Sequence, residues 1–141
     1  MPMNIDQQTA LTSGLDYASG TATRNGVGLS MAGYDGVRVI VKFAAIAAGA
    51  VTTIKAQQSS DNGSADAYSD IAGSEQTIAA TDDDKIFTID INRPLKSWVR
   101  VVVVKDATNA TAEMAVYEQY GGNSVSPSNA ERFLSPAEGT A

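Results

Sequence analysis

Apolar residues in this chain alternate with polar ones far more often than they recur at helical spacing. In "VRVIVKFAAI", Val37, Val39, Val41 and Phe43 fall on one face, and Arg38, Ile40, Lys42 and Ala44 fall on the other. A period of two marks a strand with one buried face. "IFTIDI" repeats it, with Phe87, Ile89 and Ile91 facing one way and Thr88 and Asp90 the other. "WVRVVVVKD" (Trp98–Asp106) is the most apolar segment and predicts a central strand buried on both faces. "TAEMAVYEQYGG" sets Met114, Val116 and Glu118 against Ala115, Tyr117 and Gln119. "GTATRNGVGLSM" predicts a strand through about Thr21–Met31, and the β-branched "VTTIKAQQS" predicts another over Val51–Ser59.

Turn chemistry separates these runs. "GYDG" (Gly33–Gly36) and Ala48-Gly49-Ala50 reverse the chain, and Asn62-Gly63 signals a two-residue hairpin with a short returning strand near Tyr68–Ile71. Pro94 stops the Ile86 strand because proline cannot donate to a ladder. Seven or eight strands with turns about every 8–12 residues, and no helix-period segment beyond two turns, predict an all-β fold: an antiparallel β-sandwich, jelly-roll-like. The ends break the pattern. Residues 1–20 carry Ile5, Leu11 and Leu15 singly among polar residues and read as an extended N-terminal arm with room for one edge strand. The body is then 21–120, and 121–141 is a C-terminal arm.

Composition narrows the chemistry. The 141 residues suit one domain plus extensions, and their apolar set is dominated by Ala, Val and Ile rather than aromatics, which make up 6%. With 10 basic and 16 acidic residues the net charge is −6 and no basic stripe exists, so nucleic acid is not the expected partner. The chain has no Cys and no His, which excludes disulfides, thiolate catalysis, Cys/His zinc sites and His-based triads. The first residues lack a basic n-region and an apolar h-region, and "FAAIAAGAV" (Phe43–Val51) is too short to span a bilayer, so neither a secretory signal nor a membrane partner is expected.

Several acidic clusters invite a reading as sites. Asp82-Asp83-Asp84 could offer hard oxygen ligands to Ca²⁺, but a solvated loop ahead of the Ile86 strand is the better account. The stretch from Asp61 superficially resembles an EF-hand loop, yet its twelfth position is Ala72 rather than Glu, so a turn is the better account. Asp90 with Glu113 or Glu118 could form a two-carboxylate hydrolase pair, although outward-pointing acids look the same in sequence. "GYDGVRV" lacks the phosphate-cradling glycine spacings. Trp98, Tyr34, Tyr68, Tyr117 and Tyr120 are candidates for a sugar-stacking platform, with core packing the alternative for Trp98 and a subunit contact the alternative for Tyr117 and Tyr120, both placed near a sheet edge. No catalytic residue, metal ligand or cofactor site is expected.

The closing stretch "GGNSVSPSNAERFLSPAEGTA" carries one apolar pair, Phe133-Leu134. Ser128-Asn129-Ala130-Glu131 matches a capping box, so a helical turn is expected at Asn129–Leu134, stable only if the pair finds a pocket on the same subunit or on a neighbour. Burying each side chain would contribute roughly 1.5–3 kcal/mol. Gly121-Gly122 reads as the hinge of this latch, with a cross-subunit contact expected.

"GYDGVRVIVKF", "IKAQQSSDNGSADAYSDIAG", "DDDK", "DINRP", "YEQYGG" and "SPAEGT" together resemble small structural proteins of tailed bacteriophages and prophages, over about Gly33 to Ala141. The resemblance implies a non-enzymatic virion protein of the capsid decoration (cement) type, on the capsid exterior after synthesis in the host bacterial cytoplasm. It would bind the major capsid protein and itself, trimers being favoured, and would stabilise the head against internal DNA pressure. A glycan-binding adsorption module and a tail- or neck-associated structural protein are the alternatives. The residues expected at assembly contacts are Ile5, Leu11, Tyr117, Tyr120, Phe133 and Leu134.

Overall fold

Alternation places the valines, isoleucines and phenylalanines of facing strands toward one interior. The computed structural model describes Ile5 and residues 8–122, and its strands stack as two antiparallel sheets. In chain order they are β1 (Thr9–Gly20), β2 (Arg24–Asn25), β3 (Leu29–Ser30), β4 (Gly36–Ile46), β5 (Thr52–Ser59), β6 (Ser69–Asp70), β7 (Gln76–Ile78), β8 (Ile86–Asn92), β9 (Trp98–Lys105) and β10 (Thr111–Tyr120). The first sheet runs β1-β10-β4-β8. In the second, β9 is central, with β2 and β3 on one side and β5 on the other, and β5 in turn carries β6 and β7. The expected all-β sandwich is the observed fold.

The core follows the predicted parities. Val37, Val39, Val41 and Phe43 of β4, Ile89 and Ile91 of β8, and Ala115 and Tyr117 of β10 face Val99, Val101 and Val103 of β9 and Ile54 and Ala56 of β5. Phe43 meets Phe87 edge to face, ring centroids 5.8 Å apart. The outer side of β9 is less buried than expected: Val102 is enclosed, but Trp98, Arg100 and Val104 are only half-buried.

One expectation is sharpened and two need correction. The edge strand allowed for in residues 1–20 is β1, from Thr9 onward, paired along β10 from Thr9↔Tyr120 to Gly20↔Thr111. A bulge at Gly14 shifts the register between Ser13 and Leu15, so buried Ala10 and Leu15 have opposite parity and no alternation appears in sequence. The single strand over Thr21–Met31 is two short pieces, β2 and β3, because Val27 between them turns its N–H to Gly14 O, 2.9 Å away, in the other sheet. The Asn62-Gly63 hairpin is a longer loop. Both residues have the positive φ the turn requires (60° and 78°), but pairing resumes only at Gln58↔Ser69. The Asp61 carboxylate holds the N–H groups of Ser64, Ala65 and Asp66 at 2.7–3.3 Å, folding residues 60–68 onto themselves.

Two polar devices tie the layers together. Tyr117, wholly buried on β10, donates its hydroxyl to Val27 O (2.7 Å) and accepts from Val101 N–H (3.0 Å), both in the opposite sheet. A Cβ on Gly14 would lie 2.9 Å from its ring, and one on Gly26 would lie 2.5 Å from its hydroxyl, so both positions need glycine for space. Burial pushes this phenol well above its ordinary pKa, so it stays a donor at any ordinary pH. Further down the same face of β10, Glu113 meets Lys105 of β9, Nζ to Oε1 2.6 Å, both side chains fully buried. The contact is an ion pair rather than a well-directed hydrogen bond; Lys105 Nζ donates instead to Gly20 O (3.1 Å) and Thr111 O (3.2 Å). Arg24 adds a second cation, 3.7 Å from the same carboxylate oxygen.

Replacing Tyr117 by Phe leaves Val101 N–H and Val27 O without their partner in a dry interior. Tyr117→Phe should lose about 1–3 kcal/mol in urea unfolding with an unchanged m-value; a loss below about 0.5 kcal/mol would deny it the cross-layer role. Lys105→Met strands a buried carboxylate and should lose about 3–5 kcal/mol, whereas Lys105→Met with Glu113→Leu should recover most of it. A double variant no better than the single would show that the ion pair itself supplies net stability.

Candidate functional site

Strand pleating sends alternate residues of the first sheet outward, and these build a continuous face. Pairing sets Ile40 beside Val116, Lys42 between Met114 and Ile86, and Arg38 between Glu118 and Asp90. Leu11 lies opposite Glu118 on the edge strand. The result is a diagonal aliphatic strip of Leu11, Val116, Ile40, Met114 and Ile86, crossed by the Arg38–Glu118 ion pair at 2.7 Å. Ile86 is 62% exposed and Met114 37%. Tyr120 lies on this face too. Its ring crosses above Gly36, where no side chain would fit, and its hydroxyl donates to Asp90 Oδ1 at 2.5 Å. Partial burial first and the Asp90 carboxylate second push the Tyr120 phenol up to about 12.

One end of the sandwich carries a groove of about 450 Å³ between the turn before β4 and the β8–β9 connection, lined by Met31, Tyr34, Asp35, Arg93, Pro94 and Leu95 among others. Arg93 adopts φ 55° and donates its N–H to Asp35 O (2.7 Å), and Met31 N–H reaches Ser97 O (2.7 Å), so the two walls are joined. Leu95 stands at the rim 92% exposed. The chain leaves β10 beside this groove. Gly121 has φ 74°, and an added Cβ would lie 2.7 Å from Asp35 Cβ on Gly121, and 2.9 Å from Gly33 O and 3.0 Å from the Tyr34 ring on Gly122. Both positions of the expected hinge thus favour glycine, and the residues it would carry lie outside the described residues.

The second sheet's outer face is covered near Trp98 by the 60–68 loop. Asp66 binds Lys96 Nζ (2.7 Å) and accepts from Ser60 N–H (2.9 Å) and Ser60 Oγ (3.0 Å). Arg100 stacks 4.2 Å above the Tyr68 ring and donates to Gln57 Oε1 at 2.8 and 2.9 Å. The acidic clusters serve as local staples. Asp82 accepts from Ala79 N–H and Lys85 Nζ, both at 2.9 Å, and Lys42 Nζ reaches Asp84 O at 2.6 Å.

The six residues expected at assembly contacts divide. Ile5 is 65% exposed, and Leu11 and Tyr120 are half-buried on the outward face of the first sheet. Tyr117 is not at an edge: it belongs to the core, because its parity on β10 is the buried one. Phe133, Leu134 and the helical turn at Asn129–Leu134 lie outside the described residues. The aromatic candidates do not converge. Tyr120 is on the outside of one sheet, Trp98 and Tyr68 belong to the other, Tyr117 is inside, and Tyr68's ring already carries Arg100. Asp90 and Glu113 lie on opposite faces of the first sheet, and Arg38 separates Asp90 from Glu118. Sequence reasoning passed over Leu95 and Arg93 because an exposed loop leucine has no period, and over Ile40 with Val116 because outward aliphatics read as incidental.

No protein-family model matches the sequence, and no curated protein does. Among solved structures the chain is similar to PBSX exported protein XepA, with a TM-score of 0.56 and 14% identity over 94% of this chain and 43% of that one. It thus spans less than half of that protein's length. A structure of Bacillus endospore appendages, a family of disulfide-linked pili, gives a TM-score of 0.46 at 12% identity, covering 87% and 98% of the two chains. The CBM22-1–GH10 modules of Clostridium thermocellum xylanase 10B give 0.46 at 12%, covering 89% and 28%. At these identities the likeness is one of fold.

Lys96 first and then Ser60 hold Asp66 at about 2, below the ordinary aspartate value of 3.8. A depressed folded-state value means the stapled loop is stabilised above pH 3.8, and that contribution fades as pH falls from there through about 2. Carboxyl titration by NMR should place Asp66 near about 2 in the native chain and closer to 3.8 in Lys96→Ala. An unmoved midpoint would show that Ser60 alone sets it.

Proposed function

We propose that this chain is a non-enzymatic virion structural protein, a capsid decoration subunit that binds the major capsid protein and copies of itself on the outside of a phage head. The observation that carries the reading is the outward face of the first sheet. A strip of aliphatic side chains on paired strands, with Arg38, Lys42 and Glu118 set among them and Asp90 beside Arg38, offers the mixed apolar and charged contacts that a protein-contact surface uses. Such a face needs no reacting group. Its contacts sum over many copies on a shell, so each can be modest. The fold shared with PBSX exported protein XepA is compatible with this reading, as is the sequence resemblance to phage structural proteins. A net charge of −6 fits a basic acceptor surface better than nucleic acid.

Purified full-length protein should bind empty expanded heads and raise their melting temperature. Val116→Lys, at a half-exposed outward position, should weaken binding at least about tenfold while the free protein's own unfolding changes by under about 1 kcal/mol. Heads that melt identically with and without the protein would overturn the assignment. Equal binding by the Val116 variant would move the contact away from this face.

A further inference from the structure

The free side of β8 differs from the other strand edges among the described residues. β1 is broken by two register shifts, and the edge pieces β2, β3, β6 and β7 are only two or three residues long. Bulges and short pieces keep an edge from recruiting another chain. β8 runs seven residues in unbroken register with β4, and no described strand pairs with its other side. Phe43 N–H donates to Lys85 O (3.0 Å) and Arg93 N–H to Asp35 O (2.7 Å), so the bonded partners of β4 between them are Phe87, Ile89 and Ile91. Alternation of bonded pairs then turns the backbone groups of Ile86, Thr88, Asp90 and Asn92 away from the sheet. Of these groups, among the described residues, Thr88 O alone has a partner, Gln76 Nε2 at 2.7 Å.

A groove of about 350 Å³ follows this edge, between residues 88–92 and the 71–76 segment that links β6 to β7. What its strand wall offers is a row of unmet N–H and C=O groups rather than apolar enclosure. Its uncompensated charge is of one sign. Asp90 and Glu75 stand on the two walls without a cation, since Arg38 opposite Asp90 is held by Glu118 and Lys55 by Asp70. We propose that the β8 edge binds an extended segment of another protein as a fifth strand of the first sheet, a segment that alternates basic with small aliphatic residues. Alternate side chains of the added strand turn into the seam between the sheets, beside Ile71 and Ala72, where small aliphatic groups suit the wall. The others turn outward beside Asp90, where lysine or arginine makes an opposite-charge cross-strand pair. A second copy of this chain is the poorer occupant, because two β8 edges would bring Asp90 and Glu75 of both copies together. The proposal stands on the edge and its groove, and it holds or fails independently of the virion assignment and of the outward sheet face.

The probe is a peptide of the length of β8, seven residues, alternating Lys with Val and Ala and blocked at both ends, added to the full-length chain at low salt. The amides of Thr88, Asp90 and Asn92 should exchange hydrogen rapidly in the free chain and at least about tenfold more slowly with the peptide bound. N-methylation of alternate peptide nitrogens should weaken binding at least about tenfold in one of its two phases and not in the other, because one set of N–H groups faces β8 and the other faces solvent. Thr88→Pro removes an outward N–H and no bond to β4, so it should weaken binding to a similar degree while the chain stays folded. Asp90→Lys should reverse the charge preference, so that the same peptide with Glu in place of Lys binds better. No binding at millimolar peptide, equal binding by both N-methylated forms and the parent, protection confined to other amides, or a dimer in which these three amides are already protected without peptide would each overturn the proposal.

Discussion

The phenol of Tyr117 crosses the interior of the sandwich and is held at its far end by two backbone groups of the other sheet. Much of the architecture depends on that crossing. It requires glycine at position 14, which bulges β1, and at position 26, which brings the chain between β2 and β3 close to the hydroxyl. The bulge resets the parity of β1 so that Ala10 and Leu15 can both face inward. The split of the second strand places Val27 O where the phenol can donate to it. A one-residue slip of β10 would send this ring to solvent and bury Val116 or Glu118 instead, so the bond pins register as well as separation.

The buried Lys105–Glu113 pair acts along the same two strands, β9 and β10. Taking two charges out of water costs several kcal/mol each, and the ion pair with the carbonyls of Gly20 and Thr111 offsets that cost without clear profit. Its consequence is placement: β10 can face β9 in only one alignment that satisfies both charges, and the Gly20 carbonyl draws the end of β1 into the same arrangement. A core built from valine and alanine, with few large rings to interlock, gains most from such polar markers.

With the interior settled by these contacts, the surfaces are free to differ. The outer face of the second sheet is overlaid near Trp98 by a loop stapled through Asp61, Asp66 and Lys96. On the outer face of the first sheet the aliphatic strip is interrupted by the Arg38–Glu118 ion pair. The groove where the chain departs adds a third surface of mixed character.

Period-two alternation in β4, β8 and β10 was enough to define the strands, their buried faces and the all-β class, because a half-buried strand must alternate to keep one face dry. The same parity already placed Lys105 in phase with Val99, Val101 and Val103, and Glu113 in phase with Ala115 and Tyr117, so that buried charges were legible in principle but read as outward acids and a strand end. Tyr117, taken for an edge aromatic, was likewise in phase with the core. Other features left no trace in the chain. The bulge at Gly14 erased alternation from β1, the crossing at Val27 looked like continuous strand, and the Leu95 groove joins segments about sixty residues apart. By itself the sequence determined which side chains must leave water, since that depends on neighbours one and two residues away. Only the tertiary structure decided which strands stand side by side and which outward residues meet, because those contacts depend on hydrogen bonds between segments that local pattern does not relate.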